Sequence, residues 1–79
     1  MNVIIFIANI ARRQIMKINK TRLGLVMGEK SLNFIALAKI SNVSRTTLSY
    51  INNGKSCKPE IAIKIAKALD VEVKDLIED

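Results

Sequence analysis

The run Leu37–Gly54, LAKISNVSRTTLSYINNG, constrains the fold more than any other part of the chain. It reads as the back half of one helix, a tight turn, a second short helix and a stop. Ala38 is small enough for two helices to cross closely over it. Asn42 tolerates the left-handed backbone conformation that ends a helix. Ser44 is a good N-cap, because its hydroxyl accepts from a backbone N–H a turn later. Leu48 and Ile51 give the following helix an apolar stripe, and Asn53-Gly54 breaks it. Arg45, Thr46, Ser49 and Tyr50 remain outward on that helix. All four are hydrogen-bonding side chains spaced to share one face.

This layout is a helix-turn-helix, whose second helix enters the DNA major groove and presents its early residues to base edges. The string L-A-x-x-x-N-V-S-x-x-T-L-S-x-I-x-N-G, followed by Lys55, resembles the phage Cro and C1-type repressors, also called the XRE family. The likeness runs from about Ile18 to Ile77. It implies an all-α fold, a compact five-helix lambda-repressor-like DNA-binding domain in which helices two and three form the motif. It also implies a sequence-specific transcriptional regulator, a repressor acting as a homodimer on a palindromic operator in double-stranded DNA.

Carried over residue by residue, the family's base-reading positions fall on Arg45, Thr46, Ser49 and Tyr50. Arginine can donate two hydrogen bonds to guanine O6 and N7, and a threonine methyl can meet that of thymine. Phosphate contacts fall on Asn33, Ser44, Thr47, Asn53, Lys55 and Lys58, with Asn33 opening a helix whose N-terminal N–H groups point at the backbone. The chain departs from the family at two places. Phe34 stands where a glutamine often contacts the DNA backbone, which weakens one clamp. Met27 and Asn52 stand where an arginine and a glutamate often form a partly buried pair. Losing both partners together is tolerable, since a lone buried charge is the costly case.

Charge distribution supports a polyanionic partner independently of the motif. The net charge of +6 is uneven. Residues 17–58 carry eight cations against Glu29, a net of +7, while residues 59–79 carry three cations against six carboxylates, a net of −3. Phosphate neutralisation by such a cluster gives sequence-independent, salt-dependent affinity. At 79 residues there is room for one small domain and none for a separate ligand or cleavage domain. Apolar residues at 49% and charged ones at 25% mark a globular chain. The single cysteine, Cys57, excludes an internal disulfide, and the absence of histidine leaves zinc binding and histidine acid–base chemistry without a basis. No cofactor is implied, and a reducing cytoplasm is the expected compartment.

Other helices follow from caps and spacing. Asn19 is an N-cap for a first helix through about Glu29, with Leu23, Val26 and Met27 as its inner face; Gly24 and Gly28 weaken it. Asn33 caps a second helix over residues 34–41, whose apolar face draws on Phe34, Leu37, Ala38 and Ile40. The third covers about residues 45–52. Pro59 suits the first turn of a fourth helix carrying Ile61, Ile65, Ala68 and Leu69 and ended by Asp70. A fifth, around Lys74–Glu78, contributes Leu76 and Ile77.

The run Val3–Ala8, VIIFIA, is apolar and rich in β-branched residues. It is too short to span a bilayer and has no preceding positive charge, so neither a membrane span nor a targeting signal is expected. A strand is the better local reading and a helix the runner-up. The chain therefore divides into an apolar arm, residues 1–15, and a DNA-binding domain, residues 16–79. The arm's side chains, Val3, Ile4, Ile5, Phe6 and Ile7, should not stay in water. They pair two copies as a dimer arm, fold back on their own bundle, or belong to an upstream extension, since Met16-Lys17-Ile18 reads as a second start. Cys57 is either a redox or crosslinking site or an inert loop residue.

From a different functional class, an antitoxin-like interaction module would mask a toxin partner while repressing its own operon. Catalysis is the weakest reading: no nucleophile–base pair, metal set or glycine-rich phosphate loop is present.

Overall fold

Three of the four helices among the described residues start at a side-chain cap, and the fourth starts at a proline. The structure, a computed structural model, describes residues 15–77. Among them are four α-helices: α1 (Lys20–Glu29), α2 (Phe34–Ser41), α3 (Arg45–Asn52) and α4 (Pro59–Leu69). At the N-terminal ends, Asn19 Oδ1 accepts from the Arg22 N–H (3.0 Å), Asn33 Oδ1 from Ala36 (2.8 Å) and Ser44 Oγ from Thr47 (3.1 Å). Pro59 opens α4, where its missing N–H has no helical partner to lose.

The C-terminal ends close by left-handed residues. Ser31, Asn42, Gly54 and Asp70 all have positive φ, between 55° and 89°. After α1, α3 and α4 an N–H beyond the helix turns back five residues: Leu32 donates to the Met27 carbonyl (2.9 Å), Lys55 to Tyr50 (3.0 Å) and Val71 to Ala66 (3.0 Å). At φ +89°, Gly54 is the position that needs glycine most. Asn42 ends α2 at φ +59° as its composition predicts.

Helix periodicity then places the core. Leu23 and Met27 of α1, Leu37 of α2, Leu48 and Ile51 of α3, and Ala62, Ile65, Ala66 and Leu69 of α4 are buried together with Ile18, Val43 and Leu76. Val26, Phe34, Ala38, Ile61 and Ala68 pack half-buried at its edge. Ile40 is a correction to the expected inner face. It is 54% exposed, because the inward position one helical step away is taken by Ser41.

The expected fifth helix is a second correction. Val73–Asp75 is a single 3-10 turn, its first N–H side closed by Asp75 Oδ2 accepting from the Glu72 N–H (3.3 Å). Beyond that turn, tertiary pairing with residues 18–22 holds the backbone in place of a further helical turn. The Asn19 N–H donates to the Leu76 carbonyl (2.7 Å), and Arg22 Nη1 to that of Ile77 (2.8 Å). Ile18 and Ile77 form an antiparallel bridge, and Leu76 is fully buried. Met16 meanwhile exchanges both backbone hydrogen bonds with Cys57, each 2.7 Å. Residues 16–19 thus clasp the α3–α4 loop on one side and the chain's later end on the other. Val3, Ile5, Phe6 and Ile7, expected as a dimer arm, lie outside the described residues.

Gly24 and Gly28 lie on the exposed side of α1, and a Cβ added at either would meet nothing within 4 Å. Their helical cost is therefore uncompensated by close packing. Gly24→Ala with Gly28→Ala should raise stability by about 1–2 kcal/mol. Leu37→Ala, at a fully buried site, should lower it by about 2–5 kcal/mol. Urea unfolding reads both as shifts in midpoint at constant slope.

Candidate nucleic-acid interface

The orientation of α3 is set by the turn before it. Ser41, the buried polar residue of the core region, donates its hydroxyl to the Leu37 carbonyl (2.6 Å) and accepts from the Val43 N–H (3.3 Å). Asn42 reverses the chain in the left-handed region, and Val43 drops its side chain into the core. Helix α3 then leaves the turn with Leu48 and Ile51 inward.

At about 100° per residue, Arg45, Thr46, Ser49 and Tyr50 cover an arc of roughly 140° opposite that buried pair. All four are exposed, Tyr50 at 58%. The side chains expected to read bases therefore share one outward face. None of the four is engaged in a side-chain hydrogen bond or ion pair among the described residues.

The expected phosphate-contacting residues separate into two groups. Ser44 is committed to the fold: besides capping α3, its Oγ donates to Thr47 Oγ1 (2.9 Å). The hydroxyl proton of Thr47 is left to donate outward, so the pair presents one donor rather than two. Asn33 likewise spends its carbonyl oxygen on capping and keeps its NH2 exposed. Asn53 caps the end of α3 through its backbone N–H and leaves its side chain exposed.

Thr47, Tyr50, Lys55 and Lys58 come together around one open groove of about 550 Å³, which also holds Ile51, Ser56, Cys57 and Ile61. Ser44 and Arg45 line a different groove, shared with α2, and Asn33 lines neither. The loop bearing Lys55 and Lys58 is held by the Met16–Cys57 backbone pair, which nothing in the sequence pattern announced. Ser41 was also missed, since a lone serine near a helix end reads as surface. Arg22 counted as one of the basic cluster, yet it is tied to the Ile77 carbonyl.

Both departures from the resembled pattern have a packing role or a harmless location. Phe34 is half-buried against the core, so this position packs rather than clamps. Met27 is buried with apolar neighbours and Asn52 is exposed, leaving no buried charge at either place. Lys39, Arg45, Lys55 and Lys58 are exposed and form no ion pair among the described residues, so their field faces solvent. No helix among the described residues is long and apolar enough to cross a membrane.

A family model described as the Cro/C1-type helix-turn-helix DNA-binding domain matches residues 22–79. No curated protein is a match. Among solved structures, the chain is similar to a tyrosine-to-phenylalanine mutant of hydroxyethylphosphonate dioxygenase (TM-score 0.71) and to native PhpD with cadmium atoms (TM-score 0.70), each at 23% identity. Each likeness covers 81% of this chain and 14% of the other, so the chain spans a small part of those proteins and shares a fold with that part.

Cys57 sits half-buried on the wall of the α3–α4 groove. Burial pushes its thiol pKa up, against a smaller lowering by a hydrogen bond from the Ala62 backbone. The thiolate is the reactive form, so the geometry favours the inert reading over the redox one. At pH 7.5 Cys57 should react with iodoacetamide more slowly than a cysteine in an unfolded peptide. The rate should climb as pH passes the ordinary thiol range, and unfolding in urea should abolish the difference. Mass spectrometry of the alkylated chain reads all three.

Proposed function

Because the chain belongs to the Cro/C1-type helix-turn-helix DNA-binding family, we propose that it is a transcriptional repressor that binds a palindromic operator as a homodimer, with α3 in the major groove. The observation that carries this reading is the outward face of α3, where Arg45, Thr46, Ser49 and Tyr50 stand exposed and uncommitted. The fold spends its other polar side chains nearby on caps and the turn.

The length of the reading helix supports a dimer. The eight residues of α3 span about 12 Å, or some four base pairs at 3.4 Å each. So short a site recurs too often in a genome to be specific, whereas two copies on a two-fold axis double it. In this reading Thr47, Lys55 and Lys58 grip phosphates beside the groove, with the Asn33 amide and Asn53 adding contacts at its margins. Ser44 supports them by capping α3. The domain acts by binding, with no catalysis of its own; its likeness to a segment of a dioxygenase is one of fold.

Arg45 and Lys55 should behave differently on mutation. Arg45→Ala should relax preference at one base position by about 1–3 kcal/mol and leave binding to random duplex nearly unchanged. Lys55→Ala should weaken specific and random duplexes alike and reduce the salt slope by about one. Selection of bound sites from random DNA supplies the operator for both titrations. Two half-sites about 10 base pairs apart, or a multiple of that, are expected. Equal losses for both variants on both kinds of DNA would overturn the assignment of base-reading residues.

A further inference from the structure

Helix α2 exposes more apolar surface than an eight-residue helix beside a core requires. Its sequence, FIALAKIS, is apolar on both sides, and Ile35 stands 50% exposed on the side away from the core. Ile35 and the half-buried Ala38 flank an open groove of about 620 Å³ floored by Val43, which runs from α2 across the turn to the first residue of α3. Lys39 and Arg45 are its only charged lining residues, and neither is paired among the described residues. The groove is thus an apolar slot under two free cations.

The chemistry of this slot narrows its occupant. Duplex DNA would match the cations but offers little beyond thymine methyls to cover an isoleucine. A second copy meeting this face across a two-fold axis would set Lys39 and Arg45 among their own counterparts, like charge on like. We propose that the groove docks an acidic amphipathic helix of a protein partner. Apolar residues at i, i+3 and i+4 would seat on Ile35 and Ala38, while carboxylates flanking that stripe reach Lys39 and Arg45. Arg45 also belongs to the reading face of α3, so the partner and DNA exclude one another. Docking therefore releases the operator. The competition rests on the DNA-reading role of Arg45 proposed above, whereas the docking does not.

The probe is a fluorescein-labelled synthetic peptide of about 14 residues, with leucine at i, i+3, i+4 and i+7 and glutamate on the flanks. A scrambled peptide of the same composition is the control. Anisotropy with the full chain should show saturable binding at least tenfold tighter than that of the scrambled peptide. Ile35→Ser and Lys39→Glu should each weaken it about tenfold. Duplex DNA should displace the peptide, and Ile35→Ser should leave affinity for random duplex unchanged. Equal binding of the scrambled peptide would reduce the effect to charge and overturn the proposal. So would indifference to both substitutions, whereas peptide and DNA bound together would overturn the competition alone. Phosphatidylglycerol vesicles bound more tightly than the peptide, and released by Ile35→Ser, would assign the face to a membrane instead. If the chain bound no duplex at all while the peptide results stood, the DNA reading would fail and the docking site would survive.

Discussion

One buried hydroxyl governs the geometry on which the outward face of α3 depends. Ser41 ties the end of α2 to the start of the turn by donating to Leu37 and accepting from the Val43 N–H. Without it, a buried backbone N–H would lack its partner, a loss worth about 1–3 kcal/mol. The consequence reaches beyond stability. Val43 is placed in the core by the same bonds, and Ser44 follows directly as the cap of α3. The angle between α2 and α3 is therefore set by hydrogen bonds spanning only residues 37–47, with Leu37 and Leu48 packed beneath.

A second set of bonds solves a different problem, that of a small domain whose ends would otherwise fray. Residues 16–19 use extended backbone to clasp the α3–α4 loop at Cys57 and the final described turn at Leu76 and Ile77. Both partners are remote in sequence, so these bonds close the fold rather than extend a local element. They also stiffen the loop that carries Lys55 and Lys58. Cations on a held loop lose less freedom on meeting a phosphate than cations on a loose one, and the surplus appears as affinity.

Much of this was legible in the sequence because it is local. Asn19, Asn33 and Ser44 cap where they are expected to, and Asn42, Gly54 and Asp70 stop helices where they should. Each signal involves residues within a few positions of one another. The outward set on α3 was readable for the same reason, since period alone separates it from Leu48 and Ile51. What failed was non-local. The segment from Lys74 has helical spacing, but only a single 3-10 turn forms, and the backbone at Leu76 and Ile77 pairs with Asn19 and Arg22 more than fifty positions away. Ile40 was placed on the inner face because it is apolar, and Ser41, being polar, was given no part in the core. A satisfied hydroxyl let Ser41 take the inward position and left Ile40 exposed. Long-range backbone pairs such as Met16 with Cys57 leave no mark in a single sequence.

The polar side chains near the turn divide between those that hold the fold and those that face outward. Near the turn, Asn33, Ser41 and Ser44 are consumed in capping and bracing, and replacing any of them disturbs the helix it serves. Arg45, Thr46, Ser49 and Tyr50 hold nothing in place. Substituting them therefore leaves the bundle folded while the pattern of donors and acceptors on the outward face of α3 changes. In the proposed reading, specificity and stability are carried by different residues of the same eight-residue helix, interleaved at its 3.6-residue period. Thr47 is the exception: it shares a hydrogen bond with the cap and faces the groove beside Lys55 and Lys58, so its substitution would disturb both at once.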